Sequence, residues 1–237
     1  MSDLSIIIPL LNEIDSIDSL INRLQSIPAN CEFIFVDDGS SDGTREEIIL
    51  YANIDKRIKC VFNQNRLGHM GSYIEGLKNS LSNYIIIMDG DLQHPPEKIV
   101  EMLTLLESGF DIVIGSRYEK NKFIGERDKF RGVLSRGAEF SLKMFVRECR
   151  RLSDPVSGFI GFRKDLIIPI NKNMKGNKLL PFLVVANRNT KITHINYAFR
   201  ERKFGVSKIV NSSNNFLFKF LKEIIEIRKV RKSYRSR

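Results

Sequence analysis

Short apolar runs alternate with amphipathic stretches along the first half of the chain. Each run, such as that at residues 85–88, is bounded by turn-forming residues, which is typical of a strand covered on both faces. The stretches between the runs repeat apolar residues every three or four positions, as helices do. This pattern predicts strands at residues 5–10, 32–36, 59–63, 85–88 and 111–115, with helices near 14–24, 45–52, 68–80 and 97–106.

Strands that alternate with helices form right-handed β-α-β units. The sequence therefore predicts an α/β fold with a mostly parallel sheet flanked by helices. Ligands of such sheets bind beyond the carboxyl ends of the strands, and polar residues gather there. They are Asn12 and Glu13 after the first strand, Asp37 and Asp38 after the second, and Asp89 and Asp91 after the fourth.

The stretch MDGDLQHPPE after the fourth predicted strand carries the clearest candidate chemistry. Asp89 and Asp91 are two residues apart, so on an extended chain their carboxylates project to the same side. Two such carboxylates repel each other unless a cation lies between them, and Gln93 adds a neutral oxygen. A few hard oxygen ligands suit Mg²⁺ or Mn²⁺, which completes its shell with substrate phosphates. An acidic loop at a helix N-terminus is the alternative for these residues.

The chain has neither a G-x-G-x-x-G motif after its first strand nor a P-loop motif. This disfavours a dinucleotide-dependent dehydrogenase and a P-loop nucleotidase. Asp37 or Asp38 could instead accept hydrogen bonds from a base or a ribose, while a metal at Asp89 and Asp91 binds a diphosphate. A plain Asx turn is the alternative for Asp37 and Asp38.

The alternation of strands and helices breaks after Arg117. Residues 117–128 are polar and predict a loop, and residues 129–146 predict a helix. The apolar side of that helix is expected to carry Phe130, Val133, Leu134, Phe140 and Met144. A strand near 159–163, a helix near 177–187, a strand near 192–199 and a final helix over 213–231 follow. We expect one catalytic domain over residues 1–210 and a basic amphipathic helix and tail over 211–237.

Composition and charge limit the location of the protein and the kinds of partner that it can bind. No apolar run among the 237 residues is long enough to cross a membrane, and the N-terminus lacks the basic start and cleavage site of a signal peptide, so we expect a cytoplasmic protein. The net charge is +10, and residues 200–237 hold twelve Lys or Arg against three Glu. Such a basic end points to an anionic partner, either nucleic acid, an acidic membrane surface or a phosphorylated substrate.

Six motifs occur in the order SIIIPLLNE, VDDGSSDGT, MDGDLQHPPE, GSRY, DPVSGF and RKFGVSK. In order and spacing they resemble the polyprenyl-phosphate glycosyltransferases of glycosyltransferase family 2, typified by dolichol-phosphate mannose synthase. The resemblance implies a GT-A (Rossmann-like) fold, a nucleoside-diphosphate sugar donor (GDP-mannose or a UDP-sugar) and Mg²⁺ or Mn²⁺. It also implies inverting transfer of a hexose, with mannose favoured, to a polyprenyl or dolichyl monophosphate. The enzyme would be peripheral on the inner, cytoplasmic face of the membrane.

The resemblance assigns roles to particular residues. Asp89, Asp91 and Gln93 match the metal site, and Asp91, Arg117 and Arg131 are the expected catalytic residues. The positions that match nucleotide contacts are Pro9, Asn12, Glu13, Asp37 and Asp38. The positions that match contacts to the acceptor phosphate or the diphosphate are Arg117, Arg131, Ser135 and Arg202, with Lys178 and Lys208 as further contacts.

The chemistry of a phosphate acceptor agrees with these residues. A lipid monophosphate is already anionic near neutral pH, so its attack on a sugar requires no catalytic base. The requirement is to hold two negative groups together, which a metal on the diphosphate and arginines on the attacking phosphate achieve. Arginine presents a planar fork of donors, so Arg117 and Arg131 suit phosphate better than lysines would.

Two other functions fit parts of the sequence. A family 2 enzyme that acts on a saccharide or other hydroxyl is the first, although the chain has no tryptophan and so lacks the Q-x-x-R-W motif of processive members. A non-enzymatic nucleic-acid-binding protein is the second, but no helix-turn-helix, zinc-finger or aromatic RNA-binding signature accompanies the basic tail. The wide apolar face and basic flanks of the final helix predict that it lies on a membrane surface. Packing of this helix against its own domain is the alternative.

Overall fold

The computed structural model describes residues 3–27, 30–120, 122–125, 129–167, 176, 178–200 and 213–233. The side chains of residues 129–131 and 213–219 are outside this description. Two predicted phosphate contacts, Arg202 and Lys208, lie outside the described residues. The described ranges include all five strands and four helices predicted for the first half of the chain, close to their predicted ends.

A central sheet confirms the predicted α/β fold. The described residues give it seven strands in the order β3-β2-β1-β4-β8-β5-β9, all parallel to their neighbours except β8, which is antiparallel to both β4 and β5. A hairpin of two further strands follows β5. The strands are β1 (Leu4–Leu10), β2 (Cys31–Asp37), β3 (Ile58–Phe62), β4 (Tyr84–Ile87), β5 (Ile112–Ser116), β6 (Tyr118–Glu119), β7 (Lys122–Phe123), β8 (Ile160–Arg163) and β9 (Ile192–Asn196).

Helices cover both faces of the sheet. They are α1 (Ile14–Leu24), α2 (Thr44–Ile54), α3 (Gly68–Asn79), α4 (Ile99–Glu107), α5 (Lys129–Phe145), α6 (Leu180–Ala186) and α7 (Ser213–Ser233). Alternate residues of β1 enter different cores, since Ile6 and Ile8 pack on one face and Ile7 on the other. Burial on both faces explains why these strands are continuous apolar runs. Of the helices in the described ranges, none has the length and apolar content needed to cross a bilayer.

Two predictions for the segment after β5 were wrong. Residues 117–128 were expected to form a loop, but β6 and β7 pair within them. The predicted apolar side of α5 is exposed at Val133 (72%), Phe140 (67%) and Met144 (48%), and the helix buries Ala138 and Leu142 instead. The helix has two apolar stripes, and sequence periodicity does not show which of them the domain covers.

The helix α7 packs against the domain that precedes it. Its residues Ile224 and Ile227 are 4% and 0% exposed and belong to the core that also contains the buried residues of α6. This side of α7 therefore packs against its own domain, which was the alternative to membrane contact. The other side exposes Leu221 and Ile225, and membrane contact there stays a prediction.

A buried carboxylate ties the amino ends of neighbouring strands together. Glu32 of β2 is 5% exposed, accepts hydrogen bonds from Ser5 of β1 and from the Leu81 N–H, and pairs with Lys59 of β3. Burial alone would raise the pKa of Glu32, but the bonds from Leu81, Lys59 and Ser5 outweigh burial and hold that pKa below its ordinary value.

We expect Glu32→Gln to lower the free energy of unfolding by about 2 kcal/mol at neutral pH, because charged hydrogen bonds to a buried group are lost. The pKa of Glu32 is lower in the folded state. Its stabilisation is therefore complete above about pH 5 and disappears as the pH falls through the folded pKa. Urea unfolding at a series of pH values measures the difference between wild type and variant. A difference that stays constant down to acidic pH would contradict this account.

Candidate active site

The polar residues at three strand ends meet at one edge of the sheet. Strand β1 lies between β2 and β4 and is parallel to both. Their carboxyl ends therefore point the same way, and the segments that follow them are neighbours. The structure thus brings together the Asn12–Glu13, Asp37–Asp38 and Asp89–Asp91 positions, as the sequence predicted.

The segments after β1 and β2 are bound to each other through short hydrogen bonds. Asn12 has a left-handed backbone (φ 50°), donates its N–H to Ser40 Oγ (2.8 Å) and accepts the Ser41 N–H (2.9 Å) on Oδ1. The Glu13 N–H donates to Thr44 Oγ1 at 2.9 Å. Asn12 and Glu13 therefore shape this edge, and their contacts with a nucleotide stay predictions, as does that of the half-buried Pro9.

The two adjacent aspartates have different protein partners. Asp37 is fully buried and pairs with Arg45 at 2.8 Å. It also accepts the Gly39 and Ser40 N–H groups, which is the Asx turn that the sequence left as the alternative to a nucleotide contact. The Arg45 guanidinium in turn lies 4.8 Å from the centre of the Phe62 ring. No local pattern in the sequence marks Arg45 as a partner of Asp37, because an arginine after a turn is common.

Asp38 anchors the segment that leads into α3. It is 4% exposed, and its Oδ1 accepts hydrogen bonds from Asn63 Nδ2 and the Leu67 N–H, both at 2.8 Å. Its Oδ2 accepts the Gly68 N–H at 2.8 Å. Both oxygens of Asp38 thus hold protein donors, and direct contact with a base or ribose stays a prediction.

The metal motif is not the extended chain that the sequence analysis assumed. β4 ends at Ile87, the chain bends at residues 90–92, and Leu92 has a φ of 65°. Alternation along a strand therefore does not set the directions of the two carboxylates. The bend brings the Gln93 N–H to Asp91 Oδ1 at 3.1 Å. Gly90 permits this path because a Cβ there would lie 2.4 Å from a side-chain carbon of Leu10.

His94 fixes the first aspartate of the motif. Its Nδ1 accepts the Asp89 N–H at 2.9 Å, so its proton is on Nε2, which faces Asp89 Oδ2 at 3.8 Å. The ring is 3% exposed, is stacked on Phe159 and contacts Tyr197 edge-on. Burial lowers the pKa of His94 despite the nearby carboxylates, so the ring is neutral at physiological pH. The sequence marked His94 only by its place beside the motif.

The residues of the motif fit a divalent metal that shares its shell with a substrate. The Asp91 residue is 8% exposed, whereas 28% of the Asp89 side chain is exposed. The side-chain N–H of Gln93 donates to the Arg200 carbonyl oxygen at 3.0 Å, so the amide oxygen of Gln93 faces away from that bond. No group of three or more His, Cys, Asp or Glu in the described ranges is arranged to hold a metal. Two carboxylates and one amide oxygen suit Mg²⁺ or Mn²⁺ completed by phosphate and water.

Lys178 reaches the same place from another part of the chain. Its Nζ and Asp89 Oδ2 lie 3.2 and 3.4 Å from the point that a Cβ on Gly158 would occupy. Glycine at that position therefore leaves room between an ammonium group and a carboxylate of the metal motif. This agrees with the predicted role of Lys178 near a diphosphate, which stays a prediction.

Arg117 follows β5 and is held by a buried acid. Its Nε and Nη2 bind the two oxygens of Asp154 at 2.7 and 2.9 Å, and Asp154 is fully buried. Burial opposes the charge of Arg117, but Asp154 outweighs it and raises the pKa of Arg117 above its ordinary value. Ser135 Oγ lies 3.5 Å from Nη2, so the structure brings Arg117 and Ser135 together, and their contacts with a phosphate stay predictions. Asp154 belongs to the motif DPVSGF, but nothing in the sequence predicts its role as the partner of Arg117.

A row of aromatic rings connects Arg117 to the metal motif. The Arg117 guanidinium lies 5.6 Å from the centre of the Phe199 ring, Phe199 contacts Tyr197, and Tyr197 contacts His94 edge-on. Burial raises the pKa of Tyr197. Arg131 lies one helical turn before Ser135 on α5, and its side chain is outside the described part of the structure. The arrangement as a whole connects a cationic group, through packed aromatic rings, to an acidic, metal-compatible loop.

Comparison with known proteins gives the relatives of this chain. It matches the model of Glycosyl transferase family 2 over residues 5–170. It is 30% identical over 227 residues to a dolichol-phosphate mannosyltransferase of Pyrococcus furiosus, covering 95% of this chain and 63% of that protein. It is 28% identical over 218 residues to an undecaprenyl-phosphate 4-deoxy-4-formamido-L-arabinose transferase of Yersinia enterocolitica, covering 87% and 64%. The chain thus spans less than two thirds of the length of these two relatives.

A solved structure shares the fold. Glucosyl-3-phosphoglycerate synthase of Mycobacterium tuberculosis, in complex with Mn²⁺, UDP and glucosyl-3-phosphoglycerate, superimposes with a TM-score of 0.71 at 18% identity. The match covers 94% of this chain and 80% of that one. It confirms the predicted GT-A fold, and the family match extends over most of the sheet and the candidate site. The chain belongs to glycosyl transferase family 2.

Proposed function

We propose that this protein is a metal-dependent, inverting glycosyltransferase that moves a hexose, with mannose favoured, from a nucleoside-diphosphate sugar to a polyprenyl or dolichyl monophosphate. The observation that carries the proposal is a charged arginine, fixed by a buried carboxylate and connected through packed aromatic rings to an acidic metal-compatible loop. The names of two relatives with different sugars, both acting on polyprenyl-type phosphates, support the acceptor class.

The donor would bind over the ends of β1, β2 and β4. The segments around Pro9, Asn12 and Asp37 provide the nucleotide side, and Asp89, Asp91 and Gln93 would hold Mg²⁺ or Mn²⁺. When bound, the metal neutralises charge that develops on the leaving diphosphate. The Lys178 ammonium adds a second positive charge at the same place.

The acceptor phosphate would bind at Arg117 and Ser135, with Arg131 and Arg202 as further contacts. Asp154 accepts hydrogen bonds from Nε and Nη2 of Arg117. Among the described residues, none is seen to accept a hydrogen bond from Nη1. The guanidinium is thereby fixed before an acceptor arrives, so little side-chain entropy is lost on binding. A planar, charged donor of this kind suits a phosphate oxygen.

The reaction itself needs no proton removed from the acceptor. A phosphate oxygen forms a bond to the anomeric carbon, and the bond from that carbon to the diphosphate oxygen breaks. The electron pair leaves with the nucleoside diphosphate, and the configuration at the carbon inverts. Asp154 could act as a base for a hydroxyl acceptor only by giving up its pair with Arg117, which is costly for a buried charge. The site therefore favours an acceptor that is already anionic.

An exposed apolar stripe on α5 supports a place for the enzyme on a membrane surface. Val133, Gly137, Phe140 and Met144 recur every three or four residues and are all exposed. Basic residues flank the stripe, including the exposed Arg136. A basic helix with an exposed apolar face fits an anionic bilayer, which is also where a polyprenyl phosphate resides. We propose a peripheral location on the cytoplasmic, inner face.

Replacing both Phe140 and Met144 by serine should weaken binding to anionic phospholipid vesicles by about tenfold to a hundredfold, since two apolar side chains lose a lipid environment. Vesicle co-sedimentation measures the loss. Ile54→Ser is the matched control, because Ile54 is 78% exposed but lies on α2. Equal binding by the double variant and wild type would contradict the membrane role of α5.

The donor and metal are tested by a panel of reactions. The protein is incubated with Mg²⁺ or Mn²⁺, a polyprenyl monophosphate and labelled GDP-mannose, UDP-glucose or UDP-N-acetylhexosamine, and the lipid fraction is extracted. We expect one of these donors to label the lipid fraction, and GDP-mannose is the favoured candidate. In excess chelator we expect no label in the lipid fraction. Label in the lipid fraction that persists in excess chelator would contradict the metal role.

A further inference from the structure

Glu223 is a buried acid on a helix whose exposed charges are mostly basic. It is 5% exposed, and its Oε1 accepts the backbone N–H of Lys178 at 3.1 Å. A Cβ on Gly176 would lie 2.7 Å from the same oxygen, so the glycine lets the carboxylate reach this backbone. The helix α7 thus holds the chain directly at Lys178.

The position of Glu223 is fixed by the packing of α7. The next residue, Ile224, and Ile227 one turn on are 4% and 0% exposed and share a core with Leu179 and Leu180. A further attachment is the ion pair of Arg231 with Glu148 at 3.0 Å. A carboxylate on so well-anchored a helix is a rigid support for the residue that it binds.

The side chain of the supported residue lies beside the metal motif. Lys178 Nζ and Asp89 Oδ2 both border the point that a Cβ on Gly158 would occupy. Burial and the charges of Asp89 and Glu223 raise the pKa of the buried Tyr73. The bond from Glu223 to the backbone and the space beside Gly158 thus lie at the two ends of one residue, Lys178.

We infer that Glu223 is a positioning residue for donor binding, which holds the Lys178 ammonium where the diphosphate of the nucleotide binds. The C-terminal helix is then part of the donor site rather than only a surface element. An ammonium group fixed in advance attracts a diphosphate without the cost of ordering a long side chain. This inference rests on the proposed function, because it concerns the same nucleotide site.

Calorimetric titration of the full chain with GDP and with UDP, each with Mn²⁺, tests the inference without a lipid acceptor. Glu223→Ala and Lys178→Ala should each weaken nucleotide binding about tenfold. Glu223→Gln keeps an acceptor oxygen and should retain most of the affinity. Gly176→Ala displaces the carboxylate while leaving α7 intact, and should resemble Glu223→Ala. The matched control is Glu226→Ala, one turn away on the same helix in a surface pair with Lys229.

A double-mutant cycle separates positioning from general stability. If Glu223 acts through Lys178, Glu223→Ala should cost little further affinity in the Lys178→Ala protein. Equal losses in both backgrounds, or wild-type binding by Glu223→Ala and Gly176→Ala, would overturn the inference. Failure of wild type to bind either nucleotide would overturn it together with the proposed donor. Nucleotide binding without transfer to the lipid would overturn only the proposed acceptor and leave this result standing.

Discussion

Replacing Asp91 by alanine is expected to lower the rate of transfer roughly a thousandfold while the protein stays folded. Two carboxylates and an amide oxygen would form a small ligand set, so the loss of one carboxylate would remove most of the protein's hold on the cation. Without the cation, negative charge that develops on the leaving diphosphate is not neutralised. The backbone hydrogen bond that Asp91 accepts from Gln93 is a minor loss for the fold.

The measurement for Asp91 is the initial rate of label transfer across a range of Mn²⁺ concentrations. Glu97→Gln is the matched control, because Glu97 lies on the same segment but forms a surface pair with Arg23. We expect the control to match wild type, since exposed ion pairs contribute little. Near wild-type transfer by Asp91→Ala at saturating metal would refute the metal site.

Arg117→Lys should lower the specificity constant for the lipid phosphate about a hundredfold and leave donor affinity unchanged. Lysine keeps the positive charge but lacks the planar guanidinium. A guanidinium can bind both Asp154 oxygens and leave a third nitrogen for the acceptor, whereas an ammonium group cannot. The loss should therefore appear as a higher KM for the lipid together with a lower kcat.

Steady-state kinetics with each substrate varied in turn separates the two effects of Arg117→Lys. Arg136→Lys on α5 is the matched control, because this arginine is exposed and has no partner of the Asp154 kind among the described residues. A rise in the KM for the donor, with the KM for the lipid unchanged, would reassign Arg117 to the nucleotide.

Local patterns were sufficient to predict the fold and the edge at which the site lies. Apolar runs such as β1 are buried on both faces, and that burial is visible in the sequence as an unbroken run of Ile and Leu. Because parallel strands end at a common edge, Asp37 and Asp91 could be placed in one region before any distance was known.

The parts that the sequence did not predict depend on contacts between distant residues. Asp154 meets Arg117 across 37 positions, and Glu223 meets Lys178 across 45. No periodicity or spacing marks such partners. The prediction of which side of α5 is buried was wrong for a related reason. The exposed stripe of this helix is as apolar as the buried one, and only the packing of Leu142 distinguishes them.

The central claim is that the acceptor is an anionic phosphate which needs no base. The most direct measurement offers the enzyme two lipids of equal chain length, a polyprenyl monophosphate and the free polyprenol, with the same labelled donor and Mn²⁺. We predict that label enters only the monophosphate, with inverted configuration at the anomeric carbon. Transfer to the alcohol at a comparable rate would contradict the account.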